Sequence, residues 1–155
     1  MTTNPFERLL VDLAAGDVDY VTVGGIACAF NGHVRTTQDV DILVSADPAN
    51  LERLLRVLVD FGDGHARELS PADFPVEPGA VRIVEDFPLD VFTLLAGQTY
   101  EDFEPYIRWW SEGQVPIPYL DARGLVVVKS ESVRPRDKMD VLALRQLLDD
   151  SKDTG

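Results

Sequence analysis

Two aspartates stand one residue apart at the mouth of an apolar run, Asp39-Val40-Asp41-Ile42-Leu43-Val44. The run has the length and the β-branched content of a strand. Side chains alternate faces along a strand, so the spacing predicts both carboxylates on one side, ~6.6 Å apart, with Val40 and Ile42 entering a core on the other. Aspartate is depleted in strands, and a buried carboxylate is costly unless something pairs with it. A cation is the simplest partner, and a fold for this chain has to bring one there.

A third carboxylate repeats the pattern. Asp90 opens the run Asp90-Val91-Phe92-Thr93-Leu94-Leu95. With the two strands as neighbours, Asp39, Asp41 and Asp90 would converge and raise one another's pKa unless divalent cations sat between them. Oxygen ligands favour magnesium or manganese, and two such ions ~3.5–4 Å apart serve in-line phosphoryl or nucleotidyl transfer. Upstream, Gly24-Gly25 ends the strand expected over 19–23 and opens a short apolar helix over 26–31, which Gly32 stops. Two glycines let a phosphate approach the backbone, and a helix start presents unpaired N–H groups to it. The stretch therefore reads as a phosphate seat, a helix, a loop carrying Arg35, and a two-carboxylate arm.

The remaining elements follow from local signals. Asn4 and Pro5 cap and open a helix that ends at Gly16, with apolar residues at 6, 9, 10, 13 and 14. Asp47 and Pro48 open another, stopped by Gly62. Residues 62–80 read as loop with one short strand, and residues 81–84 and 89–95 as two strands joined by a turn. Residues 100–111 read as a short helix in which Trp109 and Trp110 pack. Residues 115–119, interrupted by prolines, suit an edge strand. Residues 125–129 fit a strand end or a first helical turn, and residues 137–148 an amphipathic closing helix. The expectation is one α/β (α+β) domain over 1–150, a mixed twisted sheet with helices mainly on one face, and a tail over 151–155.

Composition narrows the function classes. No apolar run approaches the ~20 residues of a membrane span, and residues 1–8 do not read as a secretory signal, so a cytoplasmic protein is expected. The single cysteine, Cys28, excludes an internal disulfide and fits the apolar helix as core. The net charge of −13 repels a nucleic-acid backbone, so a large nucleic-acid partner is disfavoured. Against that background Arg123, Lys129, Arg134, Arg136 and Lys138 cluster near the C-terminus, either as an anion site or as a solvated approach to the last helix.

The stretch Tyr20-Val21-Thr22-Val23-Gly24-Gly25 through Val44 resembles the signature of the nucleotidyltransferase superfamily, whose fold is that of the DNA polymerase beta palm: Gly-Gly or Gly-Ser, a helix, Asp-x-Asp, then one further Asp on a later strand. The similarity points to the small bacterial branch related to abortive-infection and toxin–antitoxin nucleotidyltransferases. In that branch a downstream Lys precedes Arg-Pro-x-Asp-x-x-Asp, matched here by Lys129 and Arg134-Pro135-Arg136-Asp137-Lys138-Met139-Asp140. The resemblance implies that Asp39, Asp41 and Asp90 are catalytic and bind Mg2+ or Mn2+, and that Gly24 and Gly25 contact a triphosphate with Lys129 nearby. Arg134 joins them as a nucleotide-binding candidate. Many active members carry serine after the first glycine; Gly25 stands there instead.

The implied reaction moves a nucleoside monophosphate from an NTP to an acceptor hydroxyl on a small molecule, a protein or an RNA end. A homodimer or protein partner, as in a toxin–antitoxin pair, would complete so small a chain. The alternative is a non-catalytic or antitoxin-type protein that keeps the fold. Arg35 is a candidate for the γ-phosphate or the acceptor. Thr36 and Thr37 suit hydrogen bonds within their loop, His33 a helix end, and His65 no role. Asp137 and Asp140 fit either the charged start of the last helix or the positioning of Lys129 and Arg134.

Overall fold

Asn4 accepts the Phe6 N–H at 2.9 Å and so caps α1 (Pro5–Ala15), where Pro5 has no N–H to leave unpaired. Asp47 does the same for α3 (Pro48–Leu58). Between them lie β1 (Tyr20–Val23), α2 (Gly24–Phe30) and β2 (Val40–Val44). A computed structural model describes residues 4–111, 113 and 115–153 of the 155-residue chain. The chain continues through β3 (Ala80–Val84), β4 (Pro88–Phe92), α4 (Tyr100–Phe103), β5 (Ile107–Trp110), β6 (Ile117–Leu120), α5 (Ala122–Lys129) and α6 (Pro135–Asp153).

The six strands form one mixed sheet in the order β3-β4-β2-β1-β6-β5. The pairs β4–β2 and β1–β6 are parallel, and the other three are antiparallel. The α/β class and the mixed sheet are as the sequence predicts. The helices are shared between the faces more evenly than expected. Leu9, Leu10 and Leu13 of α1 and Leu51, Leu54 and Leu58 of α3 pack on Tyr20, Val40, Ile42 and Val44. Leu125 of α5 and Leu144 of α6 join Val21, Val23 and Leu43 in a second cluster. β1 is buried along its whole length, which is what a central strand covered on both faces requires.

Three local expectations change. Residues 107–110 form a strand rather than helix, since a single turn of 3-10 helix at Glu104–Tyr106 ends α4 and releases Ile107 to pair with Leu120. β6 is internal, lying between β1 and β5; β5 takes the edge. Pro118 is tolerated because β6 and β1 share a short ladder, registered at Thr22 and Tyr119. Residues 62–80 hold two 3-10 turns, His65–Glu68 and Pro71–Asp73, before β3 begins. Residues 125–129 resolve as helix, with Asp121 accepting the Gly124 N–H at 2.9 Å as the cap of α5. α6 extends to Asp153, and residues 154–155 of the expected tail lie outside the described residues.

Candidate functional site

Asp41 and Asp90 are register partners on the parallel neighbours β2 and β4. Asp39 immediately precedes β2, with the same parity as Asp41. Alternation puts these acids on the sheet face of Leu43 and Phe92, while Val40, Ile42, Leu89 and Val91 enter the core behind. All three carboxylates line one cavity of about 420 Å³. Gly24, Gly25, Arg35, Lys129 and Arg134 line it too, so every residue singled out for the site from the sequence faces the same space. Its size falls within the range of about 300–1,000 Å³ typical of small-molecule sites.

Gly24 is required there. Its φ is +71°, and a Cβ on it would lie 2.2 Å from Asp41 Oδ2. Any side chain would drive the carboxylate off its position. At Gly25 a Cβ would lie 2.8 Å from both Cβ and Oγ1 of Thr37. The loop before β2 folds onto that glycine, so a serine could not replace it without moving the loop. Thr37 keeps the local role expected of it, donating from Oγ1 to the Asp39 carbonyl at 3.2 Å.

The acids crowd one another. Burial, reinforced by the charges of Asp90 and Asp39, pushes the Asp41 carboxyl up to about 7. Three carboxylates in one cleft offer the all-oxygen donor set that Mg2+ or Mn2+ prefers, and the residues fit such an ion. Their oxygens are not drawn into a tight cluster. Among the described residues the group of three potential ligands within 4.8 Å of one another is Asp63, His65 and Glu85, away from this cleft. There the Glu85 carboxylate is consumed by the N–H groups of Asp63 and His65, both at 2.9 Å, and acts as a clasp on the loop.

Cations already answer the charge. Arg82 of β3 donates from Nε and Nη2 to the two oxygens of Asp90, each at 2.9 Å, and from Nη2 to Asp39 at 3.2 Å. The sequence reading passed over Arg82. The signal was available: a hairpin turning at 85–87 puts residue 82 opposite residue 90.

The basic candidates are also engaged, by α6. Lys129 is buried, with Nζ 3.0 Å from Asp137 Oδ1 and 3.0 Å from Asp140 Oδ2. Arg35 grips Asp140 with two nitrogens, at 2.9 and 3.0 Å, and His33 Nε2 lies 3.1 Å from the same residue. Arg134 Nε donates to Asp137 at 2.9 Å, and Ser132 Oγ does so at 2.7 Å. Burial opposes the charged form of Asp137, but these hydrogen bonds outweigh it and hold its carboxyl down at about 2. Asp137 stands in the first turn of α6 and, with Asp140, also contacts the basic residues. The two acids anchor Lys129, Arg35 and Arg134 at the cleft wall.

Arg136 lines the cavity without any such partner among the described residues. The sequence offered it as part of the basic cluster near the C-terminus without assigning it to the nucleotide. Arg123 belongs elsewhere, paired with Asp121 at 3.3 Å and lying over the Tyr106 ring. Cys28 is buried, and burial raises its thiol to about 11, as suits a core residue. In total five basic side chains and four carboxylates line the cleft of a protein whose net charge is −13. With Asp140, which Arg35 and Lys129 contact, the two signs balance, a local departure from the protein's overall acidity that admits an anionic ligand.

No protein-family profile and no curated protein sequence matches this chain. The fold is similar to a solved structure from Thermotoga maritima, that of a putative nucleotidyltransferase, with a TM-score of 0.56 and 16% sequence identity. The match covers 97% of this chain and 96% of the other. This chain has the nucleotidyltransferase fold. At that identity the likeness speaks for the architecture alone. No helix among the described residues is long and apolar enough to cross a membrane.

Proposed function

We propose that the chain is a nucleotidyltransferase that moves a nucleoside monophosphate from an NTP to an acceptor hydroxyl, forming a bond from that oxygen to the α-phosphorus and releasing pyrophosphate. The observation that carries this reading is the register pairing of Asp41 with Asp90, which brings them with Asp39, Gly24 and Gly25 into one cleft also lined by five basic side chains. Asp39, Asp41 and Asp90 would hold Mg2+ or Mn2+. When bound, the ion would polarise the transferring phosphate and lower the pKa of the attacking hydroxyl. Asp90 would help take the acceptor's proton. The bare backbone at Gly24 and Gly25 admits a phosphate. Arg35, Lys129 and Arg134, held in place by α6, would frame the triphosphate, with Arg136 free to close on it.

The acceptor belongs to one of three classes: a small molecule, a protein side chain or an RNA end. The acidic surface disfavours a large nucleic acid. A homodimer or a partner protein, as in a toxin–antitoxin pair of the abortive-infection type, would supply the rest of the acceptor site.

The test is incubation with each labelled NTP, Mg2+ and a cell extract. Label should pass to an acceptor with the native chain and stay on the nucleotide with Asp41→Asn. One observation favours a second reading, a non-catalytic binding or antitoxin-type protein: the Arg82 guanidinium already pairs with Asp39 and Asp90. Nucleotide binding without label transfer, for all four NTPs and in the presence of extract, would establish that reading instead.

A further inference from the structure

Arg82 belongs to the edge strand β3, of which Ile83 is the one residue that is buried. Its side chain is 53% exposed, whereas those of Asp39 and Asp90 are 35% and 11% exposed. The guanidinium therefore lies on the solvent side of the carboxylates, where an incoming cation has to pass. It makes two bonds to Asp90 and one to Asp39, through Nε and Nη2. These are the oxygens that the proposed function gives to a divalent ion. One carboxylate oxygen has room for both ligands only at the cost of bringing two cations into contact.

We infer that Arg82 is the resident counter-cation of this site, and that a divalent ion binds Asp39, Asp41 and Asp90 by displacing its guanidinium. The inference rests on the metal-site reading above. Three features make the exchange workable. The guanidinium is half exposed, so on leaving the acids it passes into water rather than into the core. Withdrawal from an edge strand moves no core side chain. Arg82 also lines the cavity, so on leaving the acids it remains beside any phosphate bound there. Arg82 would then set a threshold: its charge partly offsets the acids at low metal concentration, and the site accepts the ion when metal is abundant or a nucleotide's phosphates offer the guanidinium another partner.

The test is Mn2+ titration of the full chain, with free ion read by electron paramagnetic resonance, and with thermal unfolding followed in parallel. Arg82→Ala, Arg82→Lys and Asp41→Asn are compared with the native chain. Arg82→Ala should bind Mn2+ roughly fivefold more tightly, since it removes a competing charge, while its melting temperature without metal falls. Arg82→Lys keeps the charge without the fork and should fall between. Loss of melting temperature with an unchanged or weaker Mn2+ affinity in Arg82→Ala would overturn the inference and leave the metal site standing. Absence of Mn2+ binding in the native chain and both Arg82 variants would overturn the metal-site reading as well. Arg82→Lys still decides the question should Arg82→Ala not fold: an affinity equal to the native one argues against competition.

Discussion

The ammonium of Lys129, on the last turn of α5, lies 3.0 Å from the carboxylate of Asp140 on α6, and both side chains are buried. Arg35 closes on the other side of Asp140 from the loop that follows α2. One aspartate thus joins three segments of the chain around the back of the cleft. The α5–α6 hairpin is positioned by charge as well as by the packing of Leu125 and Leu144.

Lys129→Met keeps most of the aliphatic stem and removes the charge, leaving Asp137 and Asp140 each short of a partner. We expect a loss of about 2 kcal/mol in unfolding free energy, measured by urea denaturation, because each carboxylate loses a charged hydrogen bond while keeping Arg134 or Arg35. A loss below about 0.5 kcal/mol, the size expected of a solvated surface pair, would show that the pair is not buried in solution.

Acid should weaken the fold through Asp137. Its carboxyl is lowered from an ordinary 3.8 to about 2 in the folded chain. A depressed folded pKa gives stability that is complete above the unfolded value and lost as pH falls through the folded one. The contribution should therefore fade between about pH 4 and pH 2, with Asp140, shifted the same way by Arg35 and Lys129 against the cost of its burial, adding to it. Urea midpoints recorded down this range should fall less steeply for Asp137→Asn than for the native chain. Parallel curves for the two would place the acid-labile group elsewhere.

Arg136 offers a cleaner probe of the ligand than Lys129 does. It is exposed, lines the cleft and carries no ion pair among the described residues. Arg136→Ala should leave the melting temperature within a degree or two and weaken triphosphate binding by about fivefold, as read by calorimetric titration. Equal affinity for the variant and the native chain would remove Arg136 from the site.

Thr22, at the centre of the sheet, is fully buried, and its Oγ1 has no hydrogen-bond partner among the described residues. Thr22→Val keeps the shape and removes the unpaired hydroxyl. It should raise stability by about 1 kcal/mol, seen as a higher urea midpoint at unchanged slope. A drop would mean that the hydroxyl is satisfied in solution.

What the sequence determined by itself is what short-range physics controls. Asn4-Pro5 and Asp47-Pro48 announce two helix starts because a cap acts within three residues of itself. The alternation in Asp39-Val40-Asp41-Ile42 places the acids on one face whatever the partner strand, since the pleat has a period of two. The convergence of Asp90 on Asp41 was legible only as a condition, that their strands be neighbours. The tertiary structure met it through a parallel pairing across 49 positions, which no local signal specifies. It also decided the outcomes that local preference misjudged. Ile107-Arg108-Trp109-Trp110 became an edge strand because β6 was there to pair with it, and Pro118 went inside because its ladder to β1 is short. Charge was the least legible layer. From the sequence Lys129 is a cation near a nucleotide, and in the fold its charge is met by Asp137 and Asp140. Arg82 is an unremarked strand residue, and in the fold it bridges Asp39 and Asp90. Coulomb energy depends on distance in space, so the partners of an ionic group stay undetermined until the whole chain has been brought together.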